Sequence, residues 1–322
     1  MEKQPKIVCL GGGTGLYQVL LGLKKYPVSL TAIVNMSDSG GSSGRLRKEL
    51  GILPPGDLRR ALLALSTLHL RKNTLKKLFD FRFNNGELAG HSLGNLLLAA
   101  LIQITGREDL AISEAAKILE VSGTVLPVTV DSTDLVARLL DGTIIRGESN
   151  IDVREIKPEI PIAEVYLLPK AKIFPKTREA ILKADLLVLG PGDLYTSIIP
   201  NLLVSGVNRA IAASSAKLVY ICNLMTKHGE TDKFFVSDFV REIKKYLKEA
   251  ADKLKIVIVN DKIRLPISVS RWYKKYKSEP VILDKKKIEG VEIIKGSFAS
   301  CGKLIRHDPE KIAKVLMEIL NS

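Results

Sequence analysis

The chain has 322 residues, 46% hydrophobic and 26% charged, which is enough apolar material for a packed core and excludes a disordered or fibrous protein. Its formal charge is +14, concentrated in residues 241–322, where 20 Lys and Arg stand against 11 Asp and Glu. Such a surplus attracts polyanions, but aromatics make up only 5%, too few for a base-stacking surface, so nucleic acid is not the expected partner.

In chain order, a strand is predicted over residues 7–10, followed by a glycine turn and a helix whose Leu16, Val19, Leu20 and Leu23 recur at spacings of three and four. A second strand over 30–35 leads into a Gly/Ser-rich stretch, 37–44, and a helical run over 58–70 follows the turn Pro54, Pro55, Gly56, Asp57. Residues 91–104 read as a loop entering a helix that is apolar nearly all round, which predicts a fully buried central element. The stretch Leu96 to Ile104 is far short of the roughly 20 residues needed to cross a bilayer, and Met1 to Lys6 lack the apolar region of a signal peptide. A cytoplasmic protein without a membrane span is therefore expected.

Shorter β periods at 124–130, 143–146 and 164–168 predict a small antiparallel insertion. The α/β rhythm returns with helix 177–183, strand 186–189, helix 202–213, strand 218–223, helix 237–251 and strand 256–260. A Lys-rich stretch through Lys287, a strand over 291–295 and an amphipathic helix over 309–320 close the chain. Strands alternating with helices specify an α/β fold, doubly wound with a largely parallel sheet. The expected organisation is a single domain over 1–322, with the β insertion near 124–168 and a Lys-rich C-terminal portion over 262–322.

The chemistry-bearing residues follow strands. Gly11, Gly12, Gly13, Thr14 and Gly15 lie between the first strand and its helix, where free N–H groups and the helix dipole favour a phosphate. The spacing matches neither the G-x-G-x-x-G fingerprint nor a Walker loop. After the second strand, Asn35, Asp38, Ser42, Ser43 and Arg45 supply a carboxylate for a metal or hydroxyl, two hydroxyl donors and a guanidinium for phosphate; a helix cap is the alternative for Asp38. His91 and Asn95, at the mouth of an apolar helix, require partners from the protein or from a ligand. Gly190 and Gly192 turn the chain after strand 186–189, and Asn223 and Thr226 follow strand 218–223. Loops at the carboxyl ends of neighbouring parallel strands are where doubly wound proteins bind ligands, so these loops are expected to form one phosphate-bearing site. No nucleophile stands with a base: His69 and His307 have no evident Cys or Ser partner, and four scattered histidines make no metal cluster. Cys9 and Cys222 fall in buried strands and Cys301 stays open; three cysteines are too few for a disulfide framework.

Taken together, the glycine turn at 11–15, the run Gly40, Gly41, Ser42, Ser43, Gly44, Arg45, Leu46, Arg47, the Pro54 to Asp57 turn, the Gly90, His91, Ser92, Leu93, Gly94, Asn95 motif, residues 195–202 and residues 223–226 resemble the YvcK family of gluconeogenesis factors. That family is related to the 2-phospho-L-lactate transferase (CofD) family. The resemblance covers nearly the whole chain. It implies a Rossmann-like protein of the bacterial cytoplasm that binds a UDP-sugar, notably UDP-N-acetylglucosamine, and supports cell shape and wall synthesis during gluconeogenic growth. No catalytic residue, resident metal or required cofactor is implied. In this arrangement the two glycine loops hold the diphosphate, and Asn95 and Asn223 orient the sugar or backbone. Tyr273, with Tyr276 as the alternative, stacks on uracil, and Arg306 pairs with phosphate. The expected partners are a nucleotide sugar, a cell-wall-synthesis or regulatory protein, and a further copy of the chain. The related transferases imply the rival reading: transfer of a phosphoryl-linked group with Mg²⁺, a guanine nucleotide and a deazaflavin acceptor. Against it, Ser39 stands where that family usually has a second Asp, removing a carboxylate a metal could use. Asp193 also departs from the pattern, where a small polar residue is common.

Overall fold

The computed structural model describes residues 4–68, 73–263, 265–284 and 288–322. Strand β1 (Lys6–Gly11) is buried along nearly its whole length, as a parallel strand covered on both faces must be. The chain turns through Gly12 into α1 (Gly13–Leu23), which buries Leu16, Val19, Leu20 and Leu23, the expected stripe. A Cβ on Gly15 would stand 2.2 Å from the Pro191 carbonyl oxygen, so only glycine lets this helix approach the loop at 190–193.

β2 (Ser29–Val34) pairs with β1 in parallel. The Gly/Ser-rich stretch is only half loop, because its second part winds into α2 (Gly41–Leu50). α3 (Pro55–Leu65) is shorter than its apolar period suggested. It stops at Ser66, whose hydroxyl donates to the Leu119 carbonyl at 2.7 Å; His69 and Leu70, expected at the end of this helix, lie outside the described residues. α4 (Asn73–Asp80), α5 (Leu93–Thr105) and α6 (Glu108–Ile118) follow.

Helix α5 corrects the expectation of a fully buried element. Its buried residues are Gly94, Asn95, Leu98, Ala99 and Ile102, whereas Ile104 is 79% exposed. The helix packs on α2, α3, α4 and α6 rather than at the centre of the sheet, so one face stays open despite its apolar composition.

The second correction concerns residues 124–130. β3 (Thr124–Pro127) joins β2 in parallel at the edge of the main sheet. The antiparallel insertion is built from β4 (Asp134–Leu139), which the reading above missed, with β5 (Ile144–Arg146) and β6 (Ile162–Leu168) on either side. Between β5 and β6 lies the short α7 (Glu148–Asp152). The Val165 N–H donates to the Tyr246 hydroxyl at 2.8 Å, tying the insertion to the main body.

α8 (Pro175–Leu182) and β7 (Leu186–Leu189) match their predicted places. A π-helical turn, Leu194–Ile198, then runs into α9 (Ile199–Leu203) and α10 (Val207–Ala213). The single helix expected over 202–213 is broken because Val204 leaves helical angles (ψ 122°). β8 (Lys217–Ile221), α11 (Val236–Leu247) and β9 (Leu254–Asn260) complete the regular alternation. The Lys-rich stretch contains α12 (Ile267–Lys275), and Lys285 to Lys287 fall outside the described residues. β10 (Glu292–Gly296), the hairpin β11 (Ala299–Cys301) and β12 (Ile305–His307), and α13 (Pro309–Asn321) end the chain.

The main sheet has seven strands in the order β10-β9-β8-β7-β1-β2-β3, every pair parallel. This is the Rossmann-like α/β architecture expected, with the antiparallel three-stranded sheet beside it. The thiols of Cys9 and Cys222 are buried in it and pushed up to about 12 by that burial, so both act as apolar packing groups. Among the described residues no helix is long and apolar enough to cross a membrane.

Candidate functional site

From β1 the chain moves one way through the sheet to β2 and β3, then returns to β1's other side as β7 and continues to β10. The direction of winding therefore reverses between β1 and β7, and the loops leaving these strands, in close contact at Gly15 and Pro191, border a crevice at the carboxyl edge. Two cavities lie there. The larger, about 660 Å³, is lined by Thr14 and Gly15 of α1, Gly192 after β7, Asn223 and Thr226 after β8, Tyr273 of α12 and Arg306 of β12. The smaller, about 480 Å³, is lined by Gly13, Thr14, Asn35, Asp38, Ser42, Ser43 and Asn95. Thr14, Asp152, Val153 and Asp193 line both, so the cavities adjoin.

The larger cavity has an aromatic wall. Trp272 and Tyr276 stack with centroids 4.3 Å apart at 37°, and Trp272 meets Tyr273 edge-on at 5.0 Å. Helical spacing explains this: residues 272 and 276 share a face of α12 and its end. Tyr273 is buried, and its hydroxyl accepts the Ile305 N–H at 3.2 Å. Burial raises its pKa, so it lines the cavity as a neutral ring. Trp272 and Tyr276, 41% and 51% exposed, are the rings free to stack on a base. Asn223 and Thr226 act mainly as loop ties. Asn223 donates to the Gly192 carbonyl at 2.7 Å and accepts from the Tyr220 hydroxyl at 3.1 Å. Thr226 exchanges backbone and hydroxyl bonds with Glu279 at 2.7 and 2.9 Å. Arg306 is exposed, and its side chain makes no hydrogen bond or ion pair among the described residues.

The smaller cavity is lined by Asp38, Asp57, Glu148, Asp152 and Asp193. Asp57, 44 residues from the first glycine turn, accepts the Gly13 N–H at 3.0 Å, with Arg60 at 3.5 Å. An anion therefore does sit at the N-terminus of α1, but it is the protein's own carboxylate. Burial, then the Asp38 charge, push Asp57 up to about 6. Burial, followed by Asp38 and Asp152, pushes Glu148 up to about 8. Where the cavities meet, the Lys227 ammonium pairs with Asp152, with Asp193 at 2.7 Å and with Glu230 at 3.1 Å. Those carboxylates hold it protonated against the pull of burial, while burial raises Glu230 to about 7.

Asp152, Asp193 and Glu230 have carboxylate oxygens within 4.8 Å of one another, a spacing that could hold a divalent cation. The Lys227 ammonium already neutralises part of that charge, so a metal there would have to displace it. As arranged, the donor set fits a lysine better than Mg²⁺.

A family model described as 2-phospho-L-lactate transferase CofD matches residues 7–299. The chain belongs to the CofD family. Within it, this CofD-family chain is 47% identical over 325 residues to the gluconeogenesis factor of Halalkalibacterium halodurans, covering 98% of this chain and 97% of that protein. It is 42% identical over 327 residues to the gluconeogenesis factor of Bacillus subtilis, covering 99% of each. A crystal structure from Bacillus halodurans superimposes with a TM-score of 0.92 at 44% identity, covering 98% of this chain and all of that one.

Four residues proposed from the sequence do not line either cavity of this CofD-family site. Gly12 packs on Asp57, since a Cβ there would stand 2.4 Å from Oδ2. Gly190 turns the chain, its N–H donating to the Leu10 carbonyl at 2.9 Å. Arg45 is exposed and donates to the Ala89 carbonyl at 2.6 Å. His91 lies behind Ser42, its Nδ1 3.0 Å from the Ser42 hydroxyl, and burial followed by Arg45 lowers its pKa. Asn95 lines the cavity, but its amide donates to Ser42 at 3.1 Å and accepts from Arg59 at 3.0 Å, so it positions rather than binds. His307 is buried, its Nε2 3.2 Å from the Cys222 carbonyl, and burial lowers it to about 4, consistent with a structural imidazole.

The sequence reading assigned no role to Asp57, Glu148, Asp152, Lys227 or Trp272. Asp57 closes the Pro54 to Asp57 turn and Lys227 directly follows Thr226, so both are visible as positions in the sequence; their partners are not. Ser39 has its own use. Its hydroxyl is 3.1 Å from that of Ser149 and accepts the Ser149 N–H at 3.0 Å, while its own N–H donates to Glu148 at 3.4 Å. A carboxylate at residue 39 would take the place of the hydroxyl that meets Ser149.

Proposed function

We propose that this protein is a regulatory binder of a nucleotide sugar of the UDP-N-acetylglucosamine type. The observation that carries this reading is the pair of adjoining cavities, one walled by aromatics and the other polar, meeting at Thr14 and Asp193. Uracil stacks on Trp272 and Tyr276, Arg306 pairs with the nucleoside phosphate, and the diphosphate lies against the first turn of α1 at Thr14 and Gly192. The sugar occupies the polar cavity, where carboxylates and the Ser42 and Ser43 hydroxyls suit its hydroxyl groups. This shifts the diphosphate away from the Gly/Ser-rich loop, because the charges of Asp38 and Asp57 would repel it there. The likeness to proteins named gluconeogenesis factor supports a regulatory role under gluconeogenic growth; the output we propose for it is cell shape and wall synthesis, exercised in the cytoplasm through a protein partner or a second copy of the chain. Calorimetric titration with UDP-N-acetylglucosamine, UDP-glucose and GDP tests it: wild type should prefer the first and Arg306→Ala should bind it more weakly. Equal weak responses to all three refute it.

A second reading is favoured by the raised carboxyls of Asp57 and Glu148, since perturbed acids cluster where protons move. It is a transferase of a phosphoryl-linked group, as the family description suggests. Incubation with guanine and uridine nucleotide donors, Mg²⁺ and a deazaflavin acceptor decides between the two: turnover establishes the enzyme.

A further inference from the structure

Among the described residues, the buried side-chain donors without a hydrogen-bond partner are Nε and Nη1 of Arg154 and Nδ2 of Asn260. Of these residues only Arg154 lines a cavity of the site. It is 7% exposed, and burial lowers its pKa against the pull of Asp232 and Glu230. Its remaining nitrogen, Nη2, donates to the Pro158 and Ile160 carbonyls at 2.8 and 2.7 Å. The head is thus held by one corner, with its other donors unspent. A buried polar group in this state calls for a specific explanation.

We propose that Arg154 is a diphosphate-binding residue of the larger cavity, its Nε and Nη1 donors taking phosphate oxygen. Three observations converge. Arg154 follows Asp152 and Val153, which line both cavities, so it stands near their junction, where the diphosphate lies in the nucleotide-sugar reading on which this inference rests. The other cation at the junction, Lys227, is already paired with three carboxylates, whereas Arg154 feels Asp232, Glu230 and Glu159 only at longer range and makes no ion pair among the described residues. Guanidinium also matches phosphate geometry better than an ammonium does. The two nitrogens are shielded from solvent in this conformation, so binding turns the head about its Nη2 anchor. A Cβ at residue 229 would stand 3.3 Å from both Cβ and Nε of Arg154, so Gly229 packs against the Arg154 side chain and a larger residue there would crowd it. Because Arg154 belongs to the segment joining α7 to β6, the contact also links the insertion to the ligand.

The test is calorimetric titration of the full chain and its Arg154→Gln and Arg154→Lys variants with pyrophosphate, UDP and uridine, with thermal melting as the check of folding. Arg154→Gln is expected to bind UDP and pyrophosphate about 10- to 100-fold more weakly, the effect of one charge-assisted contact, with uridine unchanged. Arg154→Lys keeps the charge without the fork and should recover part of the loss; it carries the test if Arg154→Gln melts at low temperature. Unchanged pyrophosphate and UDP affinity in both variants overturns the proposal, as does an equal loss for uridine, which would place Arg154 on the base. If wild type binds pyrophosphate but no uridine ligand, the nucleotide reading fails while Arg154 is still judged on pyrophosphate. Binding of neither by wild type overturns both.

Discussion

Replacing Lys227 with Met removes the single ammonium shared by Asp152, Asp193 and Glu230. Side-chain exposures are 31%, 43% and 0% for the three carboxylates and 28% for Lys227, so the cluster is half-buried with one fully buried member. Breaking a fully buried pair costs about 3–5 kcal/mol; screening of the two partly exposed carboxylates brings the expected loss to about 2–4 kcal/mol at pH 8. For a chain of this length about 3 kcal/mol corresponds to a Tm decrease of roughly 4–5 °C. The sign of the pH dependence follows from linkage. Asp152 is raised by burial and Glu230 is already raised to about 7 with Lys227 present, and without the ammonium these two carboxyls rise further above their unfolded values. Groups raised in this way lose stability as pH climbs. The gap between wild type and Lys227→Met should therefore widen from pH 5.5 to pH 8. Scanning calorimetry at both pH values measures it. A variant as stable as wild type at pH 8, or a gap that is the same at both pH values, would refute the argument that Lys227 is held by these carboxylates.

Asp57→Asn keeps an acceptor for the Gly13 N–H and removes a carboxyl raised from 3.8 to about 6. Wild type should lose up to about 3 kcal/mol relative to this variant between pH 4 and pH 7, measured by urea unfolding across that range; parallel pH profiles would contradict it. Trp272→Ala should weaken uridine-nucleotide binding about 5- to 100-fold through lost stacking and leave Tm nearly unchanged, because the ring is 41% exposed; titration and melting read the two effects. Gly15→Ala sets a Cβ 2.2 Å from the Pro191 carbonyl oxygen and should cost about 3 kcal/mol or more, seen as a lowered urea midpoint; a midpoint equal to wild type would mean α1 and the 190–193 loop are not in close contact.

Much of the architecture is visible in local pattern. The apolar runs that became β1, β2, β7, β8 and β9, and the helical spacing of Leu16, Val19, Leu20 and Leu23, depend on neighbours a few residues away, which is the range over which periodicity carries information. The polar loops after those strands also announce themselves, since glycine and short polar residues where apolar strands end have local causes. Errors arose where a local pattern met a distant surface. Residues 124–127 have the same β character in either sheet, and only pairing with β2 assigns them to the main one. Helix α5 is apolar all round, yet packing leaves Ile104 open.

The sequence by itself determined that strands and helices alternate, that several strands end in ligand-suited loops, and that the motifs are those of a known family. The tertiary structure alone decided which loops face the crevice: strand order brought the turns after β1 and β7 together, and α12 brought Trp272 and Tyr276 across to them. It also decided that Asp57 fills the helix terminus expected to take phosphate, and that Asp152, Asp193 and Glu230 gather around Lys227. The physical reason is range. Propensity and periodicity act between close neighbours in the chain, whereas electrostatic neutralisation and cavity formation act between close neighbours in space, and those are set only when the sheet has formed.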